Sequence, residues 1–161
     1  MQPLTPKHVQ SALDATGLGI QVMTFEQSTS TSQEAADAIG TALGSIVKSI
    51  VFVVDEVQTV VVLTAGDQRV DDRKLAEHFG VARKKVKIAS PEHCIRVVGY
   101  APGGVPPLGH RTSGLVIMVD RSLSRFETLY GAAGSANTIF PIRYTALIQV
   151  TGGQVLDVIK D

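Results

Sequence analysis

The amino-acid sequence predicts a mixed α/β fold: one mostly buried, barrel-like β-sheet with surrounding helices, formed by a single domain over residues 1–161. Two observations predict it. Helix-capping patterns alternate along the chain with short runs of β-branched residues, and the two longest runs form a hairpin that is apolar on both faces. Because such a sheet must be covered on both sides, we expect helices to pack against each face.

The helices are predicted from the residues at their ends. Pro6 suits a first helical position and Gly17 a C-terminal stop, which defines the first helix. Thr31 and Glu34 form a capping box that begins a second helix, and Gly40 ends it. Further helices are expected at residues 72–79, at 91–97 after a Ser90 cap, and at 142–150 after Pro141.

The strands are predicted from β-branched content. Residues 45–54 read SIVKSIVFVV, and residues 59–64 return as TVVVLT after a turn. Shorter strands are expected at 20–25, 86–89, 114–120, 129–130, 138–140 and 155–159.

The composition is that of a folded soluble protein, with 44% hydrophobic and 19% charged residues. No apolar run reaches the roughly 18 residues of a membrane span, and the first residues do not resemble a secretion signal. The single cysteine, Cys94, excludes an internal disulfide and fits a reducing compartment. We therefore expect a cytoplasmic protein with no membrane partner.

The net charge is zero, from fifteen basic and fifteen acidic residues. Proteins that grip long nucleic acids usually carry a basic excess, so any contact with RNA is expected to be local. The densest basic cluster comprises Arg83, Lys84, Lys85 and Lys87, with Arg73 and Lys74 upstream. A solvated surface is the commoner explanation of such a cluster.

Lys48 lies inside an apolar strand. An ammonium group is costly to bury without a partner. Strand alternation places Ile46, Lys48 and Ile50 on one face, so that face must meet water, a carboxylate or a ligand. The alternative is that the side chain reaches the edge of the sheet.

Residues 99–110 read GYAPGGVPPLGH, and seven of the eleven residues from 99 to 109 are Gly or Pro. Glycine permits close approach of a ligand. The bare amides of Gly103 and Gly104 can stabilise the oxyanion of a tetrahedral intermediate. A structural turn is the alternative. His110, at the end of the loop, can orient a substrate group or move a proton, or can simply be an exposed histidine.

A second small-residue loop, GAAGSAN at 131–137, leaves room for a ligand, and Ser135 and Asn137 offer hydrogen bonds. An ordinary tight loop would look the same. The sequence contains no G-x-S-x-G elbow, no zinc-ligand spacing and no phosphate-binding loop, so we expect neither a metal nor a cofactor.

Taken in order, these segments resemble the YbaK family, which includes free-standing bacterial deacylases and the editing insertion of bacterial prolyl-tRNA synthetases. The matching stretches are TSQEAADAIGTALGSIVKSIVFVVD at 31–55, GYAPGGVPPLGH at 99–110, VIMVD at 116–120 and GAAGSANTIF at 131–140. The helix with Tyr144 and Leu147 continues the match, which spans the chain from about residue 20 onward.

The resemblance implies a barrel-like mixed sheet wrapped by helices, and no metal. The family's key lysine falls on Lys48, and the part of its substrate loop nearest the ester falls on Gly103 and Gly104, which makes these three the catalytic candidates. The substrate-binding candidates from the same match are Gly99, Tyr100, Val105, Pro106, Gly109, His110, Gly134 and Ser135.

The implied activity is trans-editing, the hydrolysis of the ester of a mischarged tRNA, with cysteine or alanine on proline tRNA as the suggested substrates. The expected partners are the acceptor end of that tRNA and an aminoacyl-tRNA synthetase. Two alternatives stay open: a non-catalytic module that binds a tRNA end or a nucleotide, and an interaction domain for a synthetase.

Overall fold

The computed structural model describes all 161 residues and confirms the mixed α/β fold. The helices are α1 Pro6–Thr16, α2 Ser32–Ile39, α3 Asp72–Phe79, α4 Pro91–His93 and α5 Tyr144–Thr151. The strands are β1 Met23–Thr24, β2 Ile46–Val54, β3 Gln58–Ala65, β4 Val86–Ile88, β5 Val116–Asp120, β6 Thr128–Ala132, β7 Thr138–Arg143 and β8 Gln154–Leu156. None of the helices combines the length and the apolar character that crossing a membrane requires.

The strands form one mixed sheet in the order β1-β7-β6-β2-β3-β5-β8, with β4 paired to β2. Strand β2 pairs with β3 along its length, as the predicted hairpin requires. Its other edge is shared by two partners. Strand β6 pairs only with Ile46 and Val47, and β4 pairs only with Phe52 to Val54. Residues 48–50 therefore have no strand partner on this edge.

Helices cover both faces of the sheet, as expected from its apolar strands. On one face, Leu63 of β3 belongs to a buried cluster with Leu13 of α1 and Leu147 of α5. On the other face, Val62 belongs to a cluster with Leu75 of α3. The two faces of β3 therefore contribute to two separate cores.

Three helices lie where the residues at their ends predict them. Gly17 and Gly40 both adopt left-handed backbone angles at the ends of α1 and α2. At the start of α2, the amide of Glu34 donates to the hydroxyl of Thr31 at 3.1 Å, and the Glu34 carboxylate accepts from the Thr31 amide at 3.2 Å. The predicted bounds of α3 are also confirmed.

The region after Pro141 differs from the prediction. Strand β7 continues through Pro141, which lies opposite Tyr130, and α5 begins only at Tyr144. Proline is tolerated because β1 pairs only with Thr138 and Ile139, which leaves the outer edge of β7 without a partner that needs an amide donor. Two other elements also differ from the prediction. The strand expected at 20–25 has only two residues, and the helix after Ser90 becomes π-helical from Cys94 to Val98.

Candidate active site

A cavity of about 330 Å³ opens beside the part of β2 that lacks a strand partner. Its lining comes from residues 29–32 and Ala35 of α2, residues 46–49 of β2, Gly103 and Val105 of the loop, residues 130–132 at the end of β6, and Ile139 of β7. Its polar lining residues are Thr29, Ser30, Thr31, Ser32, Lys48 and Ser49, and its larger apolar ones are Ile46, Val47, Val105, Tyr130 and Ile139. The lining thus combines apolar side chains with a set of hydroxyl groups.

Lys48 is half-buried in this wall, and its ammonium group donates to the main-chain carbonyl of Gln68. Burial lowers the pKa of Lys48, and the nearby Arg69 lowers it further, while Asp67 acts in the opposite direction. Asp67 itself is engaged with Arg125 through two hydrogen bonds of 3.0 and 2.7 Å. Lys48 therefore has a neutral partner, and its remaining protons are available to a ligand.

The two loop glycines differ in their amides. Gly103 lies in the cavity wall at φ 93°, and its amide donates no hydrogen bond within the chain. The amide of Gly104 donates to the carbonyl of Ala101 at 3.1 Å, and the Gly104 carbonyl accepts from the Gly134 amide at 2.9 Å. The expectation of two bare amides is thus corrected to one, because Gly104 is committed to the turn.

Three other loop residues hold the loop rather than line the cavity. Tyr100 is fully buried, and its hydroxyl donates to the carbonyl of Gly109 at 2.7 Å. Burial raises the pKa of Tyr100 to about 12. The amide of Gly99 donates to the carbonyl of Cys94 at 2.8 Å. The structure therefore corrects the expectation that Gly99, Tyr100 and Gly109 contact a substrate in this cavity.

His110 also acts on the loop. Its Nε2–H donates to the carbonyl of Pro106 at 2.7 Å; burial lowers the pKa of His110, and this hydrogen bond acts in the opposite direction. The histidine lines a separate hollow of about 300 Å³ that does not include Lys48. Pro106 is buried and lies outside the Lys48 cavity. Neither His110 nor Pro106 is therefore placed to contact a ligand in the Lys48 cavity.

The loop 131–137 supports the glycine turn from behind. A Cβ on Gly104 would lie 2.9 Å from the main-chain nitrogen of Ser135, so the two loops touch at this point. The hydroxyl of Ser135 is 2.9 Å from Asn137 Oδ1 and 2.7 Å from the hydroxyl of Thr138. Of the predicted site residues, Lys48, Gly103 and Val105 meet in the cavity wall, whereas Gly104, Gly134 and Ser135 form the layer behind it.

The sequence analysis missed the hydroxyl run at 28–32, which it treats only as a helix cap. Four of its five members, Thr29 to Ser32, line the cavity. The Glu34 carboxylate organises the run, because it accepts hydrogen bonds from the Ser28 and Ser30 hydroxyls at 3.2 Å. The Thr31 amide, which donates to the same carboxylate, is the main reason that the pKa of Glu34 is lowered. The alternation S-T-S-T-S is the signal that could have indicated this wall.

The open edge of β2 adds backbone groups to the cavity. The carbonyl of Val51 accepts from the Ala89 amide on this edge at 2.9 Å. Because backbone groups alternate between the two edges of a strand, the amide and carbonyl of Ser49 point the same way. Ser49 lines the cavity, and its buried hydroxyl has no partner.

Half of the predicted basic residues are paired with carboxylates. Arg73 pairs with Asp71 at 3.3 Å, and Arg83 pairs with Asp72 at 2.8 Å. Lys74 contacts two carboxylates at 3.1 and 3.0 Å. Lys84, Lys85 and Lys87 form no salt bridge, so they are the unpaired part of the cluster.

Comparisons with known proteins identify the family of this chain. The sequence pattern of the aminoacyl-tRNA editing domain matches residues 26–150. The uncharacterized protein YwhH of Bacillus subtilis strain 168 is 34% identical over 141 residues, which cover 87% of each chain. The proline–tRNA ligase of Staphylococcus aureus strain Newman is 33% identical over 78 residues, which are 48% of this chain and 13% of the ligase.

Solved structures share the fold. A protein proposed to be a trans-editing enzyme for prolyl tRNA synthetase superposes with a TM-score of 0.88 at 35% identity, over 97% of each chain. The hypothetical protein APE2540 superposes with a TM-score of 0.85 at 28% identity, over 95% of this chain and 99% of that one. The chain therefore belongs to the aminoacyl-tRNA editing domain family.

Proposed function

We propose that this chain is a free-standing deacylase that hydrolyses the ester between a small amino acid and the terminal adenosine of a tRNA. The observation that carries the proposal is the cavity of about 330 Å³ that is lined by both Lys48 and Gly103, whose amide is free. Membership of the editing-domain family supports an ester of tRNA as the substrate.

Lys48 binds the tRNA end in this proposal. Its ammonium has three protons, and only the Gln68 carbonyl engages it within the chain. The remaining donors hold a phosphate or ribose oxygen of the terminal nucleotide and so fix the position of the ester. Fixing the ester relative to its attacking group supplies part of the rate acceleration.

Gly103 stabilises the transition state. A nucleophile adds to the ester carbonyl carbon, and the carbonyl oxygen takes on negative charge, which the Gly103 amide stabilises by a hydrogen bond. The carbon–oxygen bond to the ribose then breaks, and the ribose oxygen takes a proton. Water is the nucleophile that releases the free amino acid, and the proton that it loses is the one that the ribose oxygen takes. If the neighbouring ribose hydroxyl or the thiol of a cysteinyl substrate attacks first, the acyl group moves to that oxygen or sulfur, and water must still cleave the resulting ester or thiolactone. Because the ester is already activated, no strong protein nucleophile is needed.

The size of the cavity selects the amino acid. Ile46, Val105 and Ile139 form apolar walls around the space for the side chain. Alanine or cysteine on proline tRNA is the proposed substrate, which the similarity to a proline–tRNA ligase supports. Size alone separates amino acids by only about 1–3 kcal/mol per methylene, so moderate rather than absolute selectivity is expected.

The direct test is the release of radiolabelled amino acid from a panel of aminoacyl-tRNAs by the purified protein. The proposal expects release from Ala- or Cys-tRNA(Pro) and little from Pro-tRNA(Pro). Binding of the tRNA without release would instead identify a non-catalytic module. Release that occurs only after a synthetase is added would identify a domain that depends on that partner.

A further inference from the structure

A second hollow of about 410 Å³ begins where the active-site cavity ends, and Lys48 lines both. Its floor is the face of the sheet that carries Ile50 and Phe52, the next residues on the same side of β2 as Lys48. Strand β4 extends the floor, because Ile88 lies opposite Phe52. We call this hollow the side groove; it runs for about 13 Å from Lys48 to Phe52.

The rim of the side groove carries unpaired positive charge. Arg69 and Lys160 both line it, and neither side chain has a hydrogen bond or a salt bridge within the chain. The amide of Lys160 donates to the carbonyl of Arg69 at 2.8 Å, which keeps the two residues together.

The acidic groups nearby do not neutralise this rim. Asp67 is held by Arg125, and Asp72 is held by Arg83 at 2.8 Å. Burial is the main cause of the lowered pKa of Lys48, and the positive charge of Arg69 lowers it further. The side groove therefore attracts an anion.

The floor indicates what kind of anion. Ile88 is 73% exposed, although it is a large apolar side chain on a strand. A small inorganic anion would use the cations alone and leave this surface in water. A chain in which phosphates alternate with sugars and bases uses both, because the phosphates lie along the charged rim and the nonpolar faces cover the floor.

We propose that the side groove binds the single-stranded nucleotides that precede the terminal adenosine of the tRNA. The inference rests on the proposed function, since Lys48 joins the side groove to the cavity that holds the ester. Arg69 and Lys160 contact the upstream phosphates, and Ile50 and Ile88 pack against a sugar or base. The contacts are with the backbone, so they place the ester without reading sequence.

The kinetic test compares two substrates. Ala-tRNA(Pro) contains the upstream nucleotides, and alanine esterified to free adenosine lacks them. In the double variant Arg69→Glu, Lys160→Glu, the KM for Ala-tRNA(Pro) is expected to rise by about tenfold or more while kcat changes little, since phosphate contacts are lost. Hydrolysis of the alanyl adenosine is expected to stay at the wild-type rate. The matched control is Lys7→Glu, Lys87→Glu, in which two exposed lysines outside the side groove undergo the same change of charge.

A wild-type KM for Ala-tRNA(Pro) in the groove variant would overturn the inference. So would an equal loss with both substrates, because the effect would then not depend on the upstream nucleotides.

A binding experiment separates this inference from the proposed function. Fluorescence anisotropy with a 5′-labelled single-stranded RNA that ends in CCA measures affinity without catalysis. The wild type and the control are expected to bind alike, and the groove variant more weakly. Equal affinity of all three proteins would contradict the inference. If the wild type hydrolysed no ester, the proposed function would fail, but the same comparison would still decide whether the side groove binds RNA.

Discussion

At Lys48, burial opposes the charge on which the proposed chemistry depends. The pKa of this lysine is lowered from its ordinary value of 10.5, first by burial and then by Arg69. The protonated form is the one that binds a phosphate or ribose oxygen. The charge is therefore lost at a lower pH than for an exposed lysine.

This lowered pKa predicts an alkaline limb in the rate profile. After correction for spontaneous ester hydrolysis, kcat/KM should fall with rising pH at values below 10.5. In Lys48→Arg the guanidinium stays charged, so any remaining activity should lack this limb. If kcat/KM of Lys48→Arg fell at the same pH as that of the wild type, a group other than Lys48 would be responsible for the fall.

The same shift has a consequence for stability. At pH values between the lowered pKa of Lys48 in the folded chain and its ordinary value of 10.5, Lys48 is protonated to a greater extent in the unfolded chain than in the folded chain. The free energy of unfolding should therefore rise with pH across this window, relative to Lys48→Met.

Gly103 offers a second test at the level of a residue. Its φ is 93°, and an added Cβ would lie 3.3 Å from the Ser30 Cβ across the cavity. Gly103→Ala should cost about 1–2 kcal/mol of stability for the left-handed backbone and should also reduce kcat/KM. Urea denaturation and deacylation rates measure the two effects.

Gly114→Ala is the matched control for this substitution. Gly114 has a similar φ of 75°, but nothing lies within 4 Å of an added Cβ. It should lose stability to a similar extent and keep its activity. Equal loss of activity in both variants would show that backbone strain, not the cavity, is responsible.

Part of the site could be predicted from single residues. Lys48 is visible because a charged side chain interrupts an apolar strand, and Gly103 because the loop around it is rich in glycine. The difference between Gly103 and Gly104 is not visible, because it depends on which amide meets the Ala101 carbonyl after the turn forms. The role of Ser49 also depends on strand pairing, which leaves its backbone at an open edge.

At the scale of elements, the loop at 99–110 is held by side chains at its two ends. The Tyr100 hydroxyl donates to the Gly109 carbonyl at 2.7 Å, and Tyr100 is fully buried. Tyr100→Phe should lower the free energy of unfolding by about 1–3 kcal/mol, because it removes this donor from a buried carbonyl partner. The loosened loop should also slow deacylation by displacing Gly103.

Urea denaturation and single-turnover deacylation check this prediction. Tyr144→Phe is the control, since Tyr144 is a half-buried tyrosine whose hydroxyl makes no hydrogen bond within the chain. Unchanged stability in Tyr100→Phe would mean that the hydroxyl does not hold the loop.

Elements whose ends are set locally are predicted well from sequence. Helices α1, α2 and α3 end at left-handed glycines, and α2 begins with a capping box, so a few neighbouring residues determine them. The error at Pro141 has a different origin. Proline suits a helix start, but here the long-range pairing of β6 with β7 keeps it in a strand. Such pairing cannot be read from the local sequence.

At the scale of the whole molecule, the zero net charge limits how strongly the protein holds RNA. In the proposed complex the tRNA end has three cationic contacts, from Lys48, Arg69 and Lys160. For single-stranded RNA, three contacts correspond to a slope of about 2 in a plot of log KM against log salt concentration. Hydrolysis of alanyl adenosine should depend less on salt, since it lacks the upstream phosphates. A slope of about 5 or more would require further contacts elsewhere on the surface.

The most direct measurement is the release of alanine from Ala-tRNA(Pro) by the wild type and by Lys48→Ala, with circular dichroism to confirm that both are folded. The control is Lys87→Ala, which removes an exposed lysine from another strand of the same sheet. Release is expected from the wild type and the control, and only spontaneous hydrolysis with Lys48→Ala. Wild-type release by a folded Lys48→Ala protein would contradict it.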